Sequence, residues 1–218
     1  MKKLRVLFRN WFVKAYLWAA ELLYHSYAWA YDSVAWLVSF GYWSRWCMDA
    51  LQYFVPGTIL EIGFGTGSLL IQMNECGLDV TGLELSEQMH RMTGRKLRRR
   101  DMAVKRVQGR AETLPFPAQK FKNILSTFPS NFIFYEKTCK EVHRVLDASG
   151  RWVILGLGGQ FKSGIKKWLT KWLWGDWDEI LIQRLADKIN SAGFSSSVIR
   201  YETNQYILPI LIFERHDA

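Results

Sequence analysis

The chain has 218 residues, of which 49% are hydrophobic and 22% charged, which is sufficient for one globular domain with a buried core and a modest extension. Its 29 lysines and arginines exceed its 20 acids to give a net charge of +9, which favours an anionic partner: a membrane surface, a nucleic acid or an acidic substrate. The three cysteines Cys47, Cys76 and Cys139 are scattered and lack metal-site spacing. We therefore expect reduced thiols in a cytoplasmic protein, with neither a disulfide framework nor a metal site.

Tryptophan is concentrated in two segments near the ends of the chain. Six of the eleven tryptophans lie at or before Trp46, and four lie between Trp168 and Trp177. Near the N-terminus, apolar residues recur at helical spacing on one face: Leu4, Leu7, Phe8, Trp11, Phe12, Ala15 and Trp18. Lysines and arginines flank this face, which is typical of an amphipathic helix lying among lipid headgroups. We predict that residues 1–46 form an N-terminal helical extension that contacts membrane or substrate.

This extension is predicted to lie on a membrane and not to cross it. Charged residues and a histidine interrupt its apolar stretch, so no charge-free run approaches the ~20 residues of a membrane span. A cleaved signal peptide is not expected either, because no compact apolar core with a small-residue cleavage site follows. The alternative, in which the aromatic side chains cover the protein core or a dimer interface, stays open.

A glycine-rich stretch, TILEIGFGTG at residues 58–67, follows the extension. A short apolar run leads into Gly63, Gly65 and Gly67, and a helical pattern comes next. Strand, glycine loop and helix in this order present backbone N–H groups and a helix N-terminus to a ligand in an α/β sheet. Glu84 ends the next apolar run, at the strand tip where a ribose diol is hydrogen-bonded.

The acid that precedes the first glycine distinguishes between two classes of cofactor. A dinucleotide fingerprint reads G-x-G-x-x-G and holds a pyrophosphate at the helix N-terminus. Here the pattern is E-x-G-x-G-x-G, and a carboxylate at Glu61 repels a phosphate but suits an ammonium group. S-adenosylmethionine carries an ammonium group, and it also has a ribose for Glu84.

The glycine-rich stretch resembles motif I of the class I S-adenosylmethionine-dependent methyltransferases, and residues 83–86 resemble their motif II. Residues 109–116, GRAETLPF, are similar to the adenine-packing segment of the type-11 subgroup, and residues 141–154 resemble its E-x-x-R-V-L signature. Arg110 stands where that subgroup usually has an aspartate, so adenine recognition is left to backbone groups or to Glu112. The resemblance implies an α/β, Rossmann-like sheet of seven strands with an antiparallel last strand.

The resemblance also implies S-adenosylmethionine as cofactor, S-adenosylhomocysteine as product, and a set of site residues. The expected cofactor-binding residues are Glu61, Gly63, Gly65, Thr66, Gly67, Glu84, Leu85, Ala111, Glu112 and Thr127. A Tyr-Asp pair often begins the helix that closes over the cofactor in this subgroup, and Tyr31-Asp32 resembles it. His25, Tyr27 and Tyr31 are therefore the candidate catalytic residues, although packed core residues of these types are common.

The remaining elements surround this predicted site. Residues 86–100 form a helix with a very basic outer side, which suits solvent, an anionic membrane or, less well, a nucleic acid, since no RNA-binding module is present. The loop after the fourth strand, residues 127–130, lacks the Asn-Pro-Pro-aromatic sequence of base-amine methyltransferases, so catalysis rests on proximity and orientation. A lysine- and tryptophan-rich helical lid is predicted at about 158–178, and two closing strands at 195–201 and 205–215.

These patterns predict a methyltransferase domain at 47–218 that acts on a lipid-like acceptor from the cytoplasmic face of a membrane. We favour N-methylation of a phospholipid headgroup amine, because cationic helices attract anionic lipid and no convincing base for a carbon acid is evident. C-methylation of a prenylated quinone ring, a soluble hydrophobic acceptor and, less readily, RNA are the alternatives. The acceptor atom and the oligomeric state do not follow from the sequence.

Overall fold

The computed structural model describes residues 36, 39–156, 159–174 and 179–216. Six α-helices are described in these ranges: α1 (Trp43–Ala50), α2 (Ser68–Glu75), α3 (Glu87–Arg99), α4 (Glu136–Val145), α5 (Gly164–Trp174) and α6 (Glu179–Asn190). Eight strands are described with them: β1 (Ile59–Ile62), β2 (Val80–Glu84), β3 (Lys105–Gln108), β4 (Phe121–Thr127), β5 (Leu146–Leu155), β6 (Gln160–Phe161), β7 (Phe194–Glu202) and β8 (Tyr206–Arg215). Short 3₁₀ turns lie at Leu51–Tyr53 and Asn131–Phe134.

All eight strands join one sheet of the predicted Rossmann-like type. The order is β3-β2-β1-β4-β5-β8-β6, and β7 also pairs with β8. Strands β1 to β5 pair in parallel, while β8 runs antiparallel to β5, β6 and β7. The α/β fold and the antiparallel last strand are thus confirmed.

The predicted count of seven strands is wrong for this chain. The eighth strand is β6, whose two residues pair with Ile207 and Tyr206 of β8. A two-residue strand is too short to show the alternation of apolar and polar residues from which strands are predicted. It leads directly into α5, which lies in the segment expected to form the lid.

Apolar side chains cover both faces of the sheet, because successive residues of a strand point to opposite sides. In β5, Trp152 and Ile154 belong to one buried cluster, and Val153 and Leu155 belong to the other. The first cluster packs against α4 and α6, and the second against α1 and α2. Trp43 and Ser44 of α1 line one cavity together with the glycine loop, so α1 lies next to that loop.

The N-terminal aromatic helices predicted at 1–46 lie mostly outside the described residues. The proposed boundary between residues 46 and 47 falls within α1, so the division into an extension and a domain stays a prediction. Among the helices that the structure describes, none has both the length and the hydropathy needed to cross a bilayer.

Candidate active site

The glycine loop between β1 and α2 depends on backbone conformations that side chains disfavour. Gly63, Gly65 and Gly67 all have positive φ angles, of 79°, 53° and 74°. A Cβ at Gly67 would lie 2.3 Å from Cγ2 of Thr93 in α3, whereas a Cβ at Gly65 would meet no atom within 4 Å. The loop is therefore packed tightly at its helical end and open at its apex, where a ligand has room to approach.

Glu84 at the tip of β2 holds the apex of this loop. Its side chain is buried, its Oε2 accepts a hydrogen bond of 2.9 Å from Gly65 N–H, and its Oε1 accepts one of 2.7 Å from Ser86 N–H. A carboxylate accepts hydrogen bonds only, so Glu84 is of the chemical type that binds hydroxyl groups. The side chain thus orders the loop and stays suited to a ribose diol.

Glu61 lies in β1 and is only 1% exposed. Its Oε2 has no hydrogen-bond partner among the residues that the structure describes. Burial, and next the nearby charge of Glu84, raise the pKa of Glu61 from 4.5 to about 8. A buried carboxylate oxygen without a partner is energetically unfavourable, and a ligand cation would remove that penalty.

A cavity of about 220 Å³ opens beside the glycine loop. The residues that line it are Trp36, Gly41, Trp43, Ser44, Gly63, Phe64, Gly65, Thr66, Ser68, Gln72 and Thr127. None of these described lining residues carries an ionisable side chain. The described part of its wall is therefore neutral and partly aromatic, and the cavity lies between the loop, α1 and the tip of β4.

Phe128 supports the aromatic wall of this cavity. Its backbone has a φ of 47°, which is unusual for a residue with a side chain, and its ring is stacked at 6.4 Å from Trp43 and at 6.4 Å from Trp46. Gly156 makes this possible, because a Cβ there would lie 2.8 Å from Phe128 N. The strained backbone thus places an aromatic ring behind Trp43.

The loop at 109–116 is fastened to the sheet edge by α4. Leu114 N–H donates to Glu141 Oε2 at 2.7 Å, and Arg144 donates to the carbonyl oxygens of Leu114 and Phe116 at 2.9 and 2.7 Å. Arg144 also pairs with Glu141 at 2.8 Å, which lowers the pKa of Glu141. This clamp gives the E-x-x-R signature a physical role, which is to hold the segment expected to face adenine.

The structure brings most of the predicted cofactor residues to one edge of the sheet. Gly63, Gly65, Thr66 and Thr127 line the cavity, and Glu61, Gly67 and Glu84 lie in or directly beneath the loop. Leu85 follows the tip of β2, and its large apolar side chain is 49% exposed. Ala111 and Glu112 lie in the clamped segment, outside the cavity lining.

The predicted site and the observed cavity differ in two respects. The candidate catalytic residues His25, Tyr27 and Tyr31 lie outside the described part of the chain, so their role stays a prediction. The cavity adds residues that were not predicted for the site, chiefly Trp36, Trp43, Ser44 and Gln72. The clustering of tryptophans was the available signal for Trp36 and Trp43, while nothing in the sequence distinguishes Ser44 or Gln72.

Residues 59–150 match a family model described as a methyltransferase domain. Together with the sheet order and the glycine loop, this match supports a class I S-adenosylmethionine-dependent methyltransferase domain at residues 59–150, similar to the type-11 group.

Curated relatives extend this comparison. The chain is 34% identical over 131 residues to a demethylmenaquinone methyltransferase of Thermus thermophilus, covering 57% of this chain and 60% of the relative. It is also 34% identical over 143 residues to the ubiquinone/menaquinone biosynthesis C-methyltransferase UbiE of Citrobacter koseri, covering 61% of this chain and 57% of that protein. The chain thus spans about three fifths of the length of these relatives.

Solved structures share the fold at low sequence identity. An S-adenosyl-L-methionine-dependent methyltransferase structure from Methanococcus maripaludis aligns with a TM-score of 0.64 and 18% identity, covering 88% of this chain and 93% of that one. A geranyl diphosphate C-methyltransferase from Streptomyces coelicolor aligns with a TM-score of 0.56 and 14% identity, covering 79% and 78%. These likenesses concern the fold alone.

Proposed function

We propose that this protein is an S-adenosylmethionine-dependent methyltransferase that methylates a hydrophobic small molecule. The observation that carries the proposal is the arrangement at the loop. Glu84 orders its apex, Glu61 offers a buried oxygen that has no partner among the described residues, and an aromatic cavity with a neutral described wall opens beside the loop. These features fit the ribose, the ammonium group and the methyl-transfer region of one cofactor.

Each predicted cofactor residue has a distinct task in this proposal. Glu84 accepts the ribose hydroxyls, and Glu61, once ionised, balances the ammonium charge. The exposed side chain of Leu85 and the clamped segment at Ala111 and Glu112 bound the adenine. The open side of Gly65 admits the cofactor to the loop backbone. The bound cofactor supplies an electrophilic methyl group on a sulfonium.

The described residues of the cavity wall then contribute by positioning the acceptor and excluding water. Thr127 and Trp43 lie on its wall, and Phe128 keeps Trp43 in place by stacking on it. Holding an acceptor in line and excluding water accounts for a large share of the rate in a transfer between two bound molecules. Any proton that the acceptor loses is assigned to His25, Tyr27 or Tyr31, as the resemblance implies.

We further propose that the preferred acceptor is a prenylated hydroquinone ring. The curated relatives at 34% identity are named for demethylmenaquinone and for ubiquinone and menaquinone C-methylation. A flat electron-rich ring suits a cavity walled by Trp36 and Trp43, since aromatic pairs prefer such contacts.

Methylation of a phospholipid headgroup amine, which the charge pattern favoured, has less support. An ethanolamine headgroup carries an ammonium group, and the described residues that line the cavity offer no carboxylate to bind it. The relatives' names point to the quinone alternative instead. The two acceptors are chemically distinct enough for one assay to separate them.

We also propose peripheral association with the cytoplasmic face of an anionic membrane. A prenylated acceptor partitions into lipid, and a net charge of +9 favours an anionic surface. RNA has less support, because several cations in or next to α3 and β3 are already paired: Arg91 with Glu87, Arg100 with Glu75, and Lys105 with Asp79.

A methyl-transfer assay tests the proposal. The purified protein is incubated with S-adenosylmethionine that is labelled in its methyl group, and each acceptor, a demethylated prenyl-hydroquinone or phosphatidylethanolamine, is supplied in its own detergent micelles. We expect label on the hydroquinone ring carbon and none on the amine. Glu84→Ala is expected to lower cofactor affinity roughly 10- to 100-fold, because it removes charge-assisted hydrogen bonds to loop and ribose. Transfer to the amine alone would overturn the quinone acceptor, and unchanged affinity in Glu84→Ala would overturn the cofactor site.

A further inference from the structure

Helix α5 presents large apolar side chains to solvent. Ile165 is 74% exposed and Trp168 is 64% exposed, and they lie three residues apart, on one side of the helix. Lys167 and Lys171 are exposed beside them. We name these four residues the α5 outer face. The sequence Gly164–Trp174 contains no aspartate or glutamate, so this face combines apolar and purely cationic groups.

The opposite side of α5 is firmly attached to the domain. Thr170 is buried, and its Oγ1 lies 3.3 Å from the N–H of Phe161, which donates to it. The ammonium group of Lys166 lies 5.6, 4.9 and 5.3 Å from the ring centroids of Phe40, Tyr42 and Phe161. Such cation–π contacts stabilise by about 0.5–2 kcal/mol each, so the helix has a fixed inner side and the outer face stays directed away from the core.

The same attachment links the α5 outer face to the cavity. Phe40 and Tyr42, which contact Lys166, flank Gly41 in the chain, and Gly41 lines the cavity together with Trp36 and Trp43. Trp36 is itself 64% exposed. A surface bound at α5 would therefore lie beside the segment that forms one wall of the cavity.

We propose that the α5 outer face docks on an anionic lipid bilayer, so that the hydrophobic acceptor enters the cavity directly from the membrane. This inference rests on the proposed function, because only a lipid-soluble acceptor gives such docking a purpose. Tryptophan at the headgroup level, isoleucine in the acyl region and lysines reaching phosphates form the combination that suits a bilayer surface.

The basic helix α3 is the competing lipid-binding surface, and it fits less well. Its Arg91 is paired with Glu87, and its C-cap residue Arg100 is paired with Glu75. Its apolar residues Met89 and Leu97 are buried and Met92 is half-buried, so α3 offers charge with little apolar surface to insert. The two helices thus differ in a way that matched charge variants can separate.

Vesicle sedimentation of the full-length protein tests the proposal. Vesicles of phosphatidylcholine with 30 mol% phosphatidylglycerol serve as the probe, and pure phosphatidylcholine as the neutral reference. We expect Ile165→Ser/Trp168→Ser to weaken the partition coefficient at least tenfold, and Lys167→Gln/Lys171→Gln to weaken it by about fivefold per lysine at low salt. Arg95→Gln/Arg99→Gln in α3 makes the same charge change and is expected to weaken it less than twofold.

Two measurements keep docking separate from catalysis and from folding. Cofactor affinity, read by calorimetry with S-adenosylhomocysteine, is expected to stay unchanged in every variant, which shows that the domain is folded. Turnover of a short-chain, water-soluble hydroquinone is also expected to stay unchanged, while turnover of the vesicle-borne acceptor falls with the α5 variants. Unchanged sedimentation in both α5 variants, or an equal loss in the α3 variant, overturns the proposal. If the unmodified protein does not methylate the soluble hydroquinone at all, the proposed function is refuted instead.

Discussion

The side chain of Glu61 links the local chemistry of the site to the stability of the whole domain. It is a carboxyl group in the middle of a buried strand, with one oxygen lacking a hydrogen-bond partner in the described residues. Desolvation makes its ionised form unfavourable, and the charge of Glu84 adds to this. The free protein therefore contains a buried carboxyl group whose ionised form is unfavourable, and the positive charge of a bound ammonium group would stabilise that form.

A pH titration of stability tests this interpretation of Glu61. Its pKa is about 8 in the folded protein and 4.5 ordinarily, so the folded state binds one more proton than the unfolded state between these values. Stability is then lost as pH rises through this window, by at most about 1.4 kcal/mol per pH unit, and no further loss from Glu61 occurs above it. In Glu61→Gln this loss is expected to vanish. Denaturant unfolding from pH 5 to 9 measures the difference, and parallel curves for the two proteins would refute it.

Two glycines of the loop are expected to respond differently to the same substitution. Gly65→Ala adds a methyl group in open space at a φ of 53°, which costs about 1 kcal/mol of stability but obstructs the approach of the cofactor. Gly67→Ala forces Thr93 to move as well, and overpacking adds about 1–3 kcal/mol. We expect Gly65→Ala to lose at least tenfold in S-adenosylhomocysteine affinity with little loss of stability. A larger stability loss in Gly65→Ala than in Gly67→Ala would contradict this account.

Among the elements, helix α4 has a role beyond packing. Glu141 and Arg144 lie three residues apart on one face, and together they hold the segment around Leu114 and Phe116. The segment belongs to no helix or strand, so these hydrogen bonds fix its position beside β2 and β3.

Arg144→Met removes this clamp and preserves most of the side-chain volume. Two carbonyl oxygens and the carboxylate of Glu141 lose their donor, so we expect unfolding free energy to fall by about 1–3 kcal/mol and cofactor affinity to fall about tenfold. Lys140→Met is the matched control, because its ion pair with Glu136 is exposed and contributes at most about 1 kcal/mol. Equal effects of the two substitutions on cofactor affinity would show that the clamp does not position the site.

The elements around the cofactor loop were predictable because local rules determine them. A buried strand, spaced glycines and a helical run require strand, turn and helix in any context, and β1 and α2 begin within two residues of expectation. The closing hairpin was equally clear, with β7 and β8 around a turn at 203–205. Strand β6 was not predictable, because its two residues acquire their conformation from pairing with β8.

The finer features of the site depend on tertiary contacts that a single sequence does not reveal. The hydrogen bond between Glu84 and Gly65 joins residues 19 positions apart, and it forms because the fold places the end of β2 beside the loop. Phe128 is stacked on Trp43 only because Gly156 leaves room for it on the neighbouring strand. The sequence therefore located the glycine loop and Glu84 at one edge of the sheet, but it did not indicate which side chains form the aromatic wall of the cavity.

At the scale of the whole molecule, the glycine loop and helix α5 lie at different parts of the sheet. Its carboxyl edge carries the cofactor loop, while α1 on one face and α5 beyond β6 form the side on which an acceptor would enter. In open α/β sheets, ligands bind at the carboxyl ends of the strands, where the strand order reverses. Here that point lies between β1 and β4, beside the cavity.

The transfer of labelled methyl from S-adenosylmethionine into a crude bacterial extract, partitioned between chloroform and water, tests the central claim most directly. It presupposes no particular acceptor and needs only the purified full-length chain. The account predicts that label enters the chloroform phase and co-migrates with a methylated quinone on chromatography. It also predicts that transfer falls roughly 10- to 100-fold when Glu84→Ala replaces the unmodified protein at a subsaturating cofactor concentration. Label confined to the aqueous phase, or no transfer at all, would contradict it.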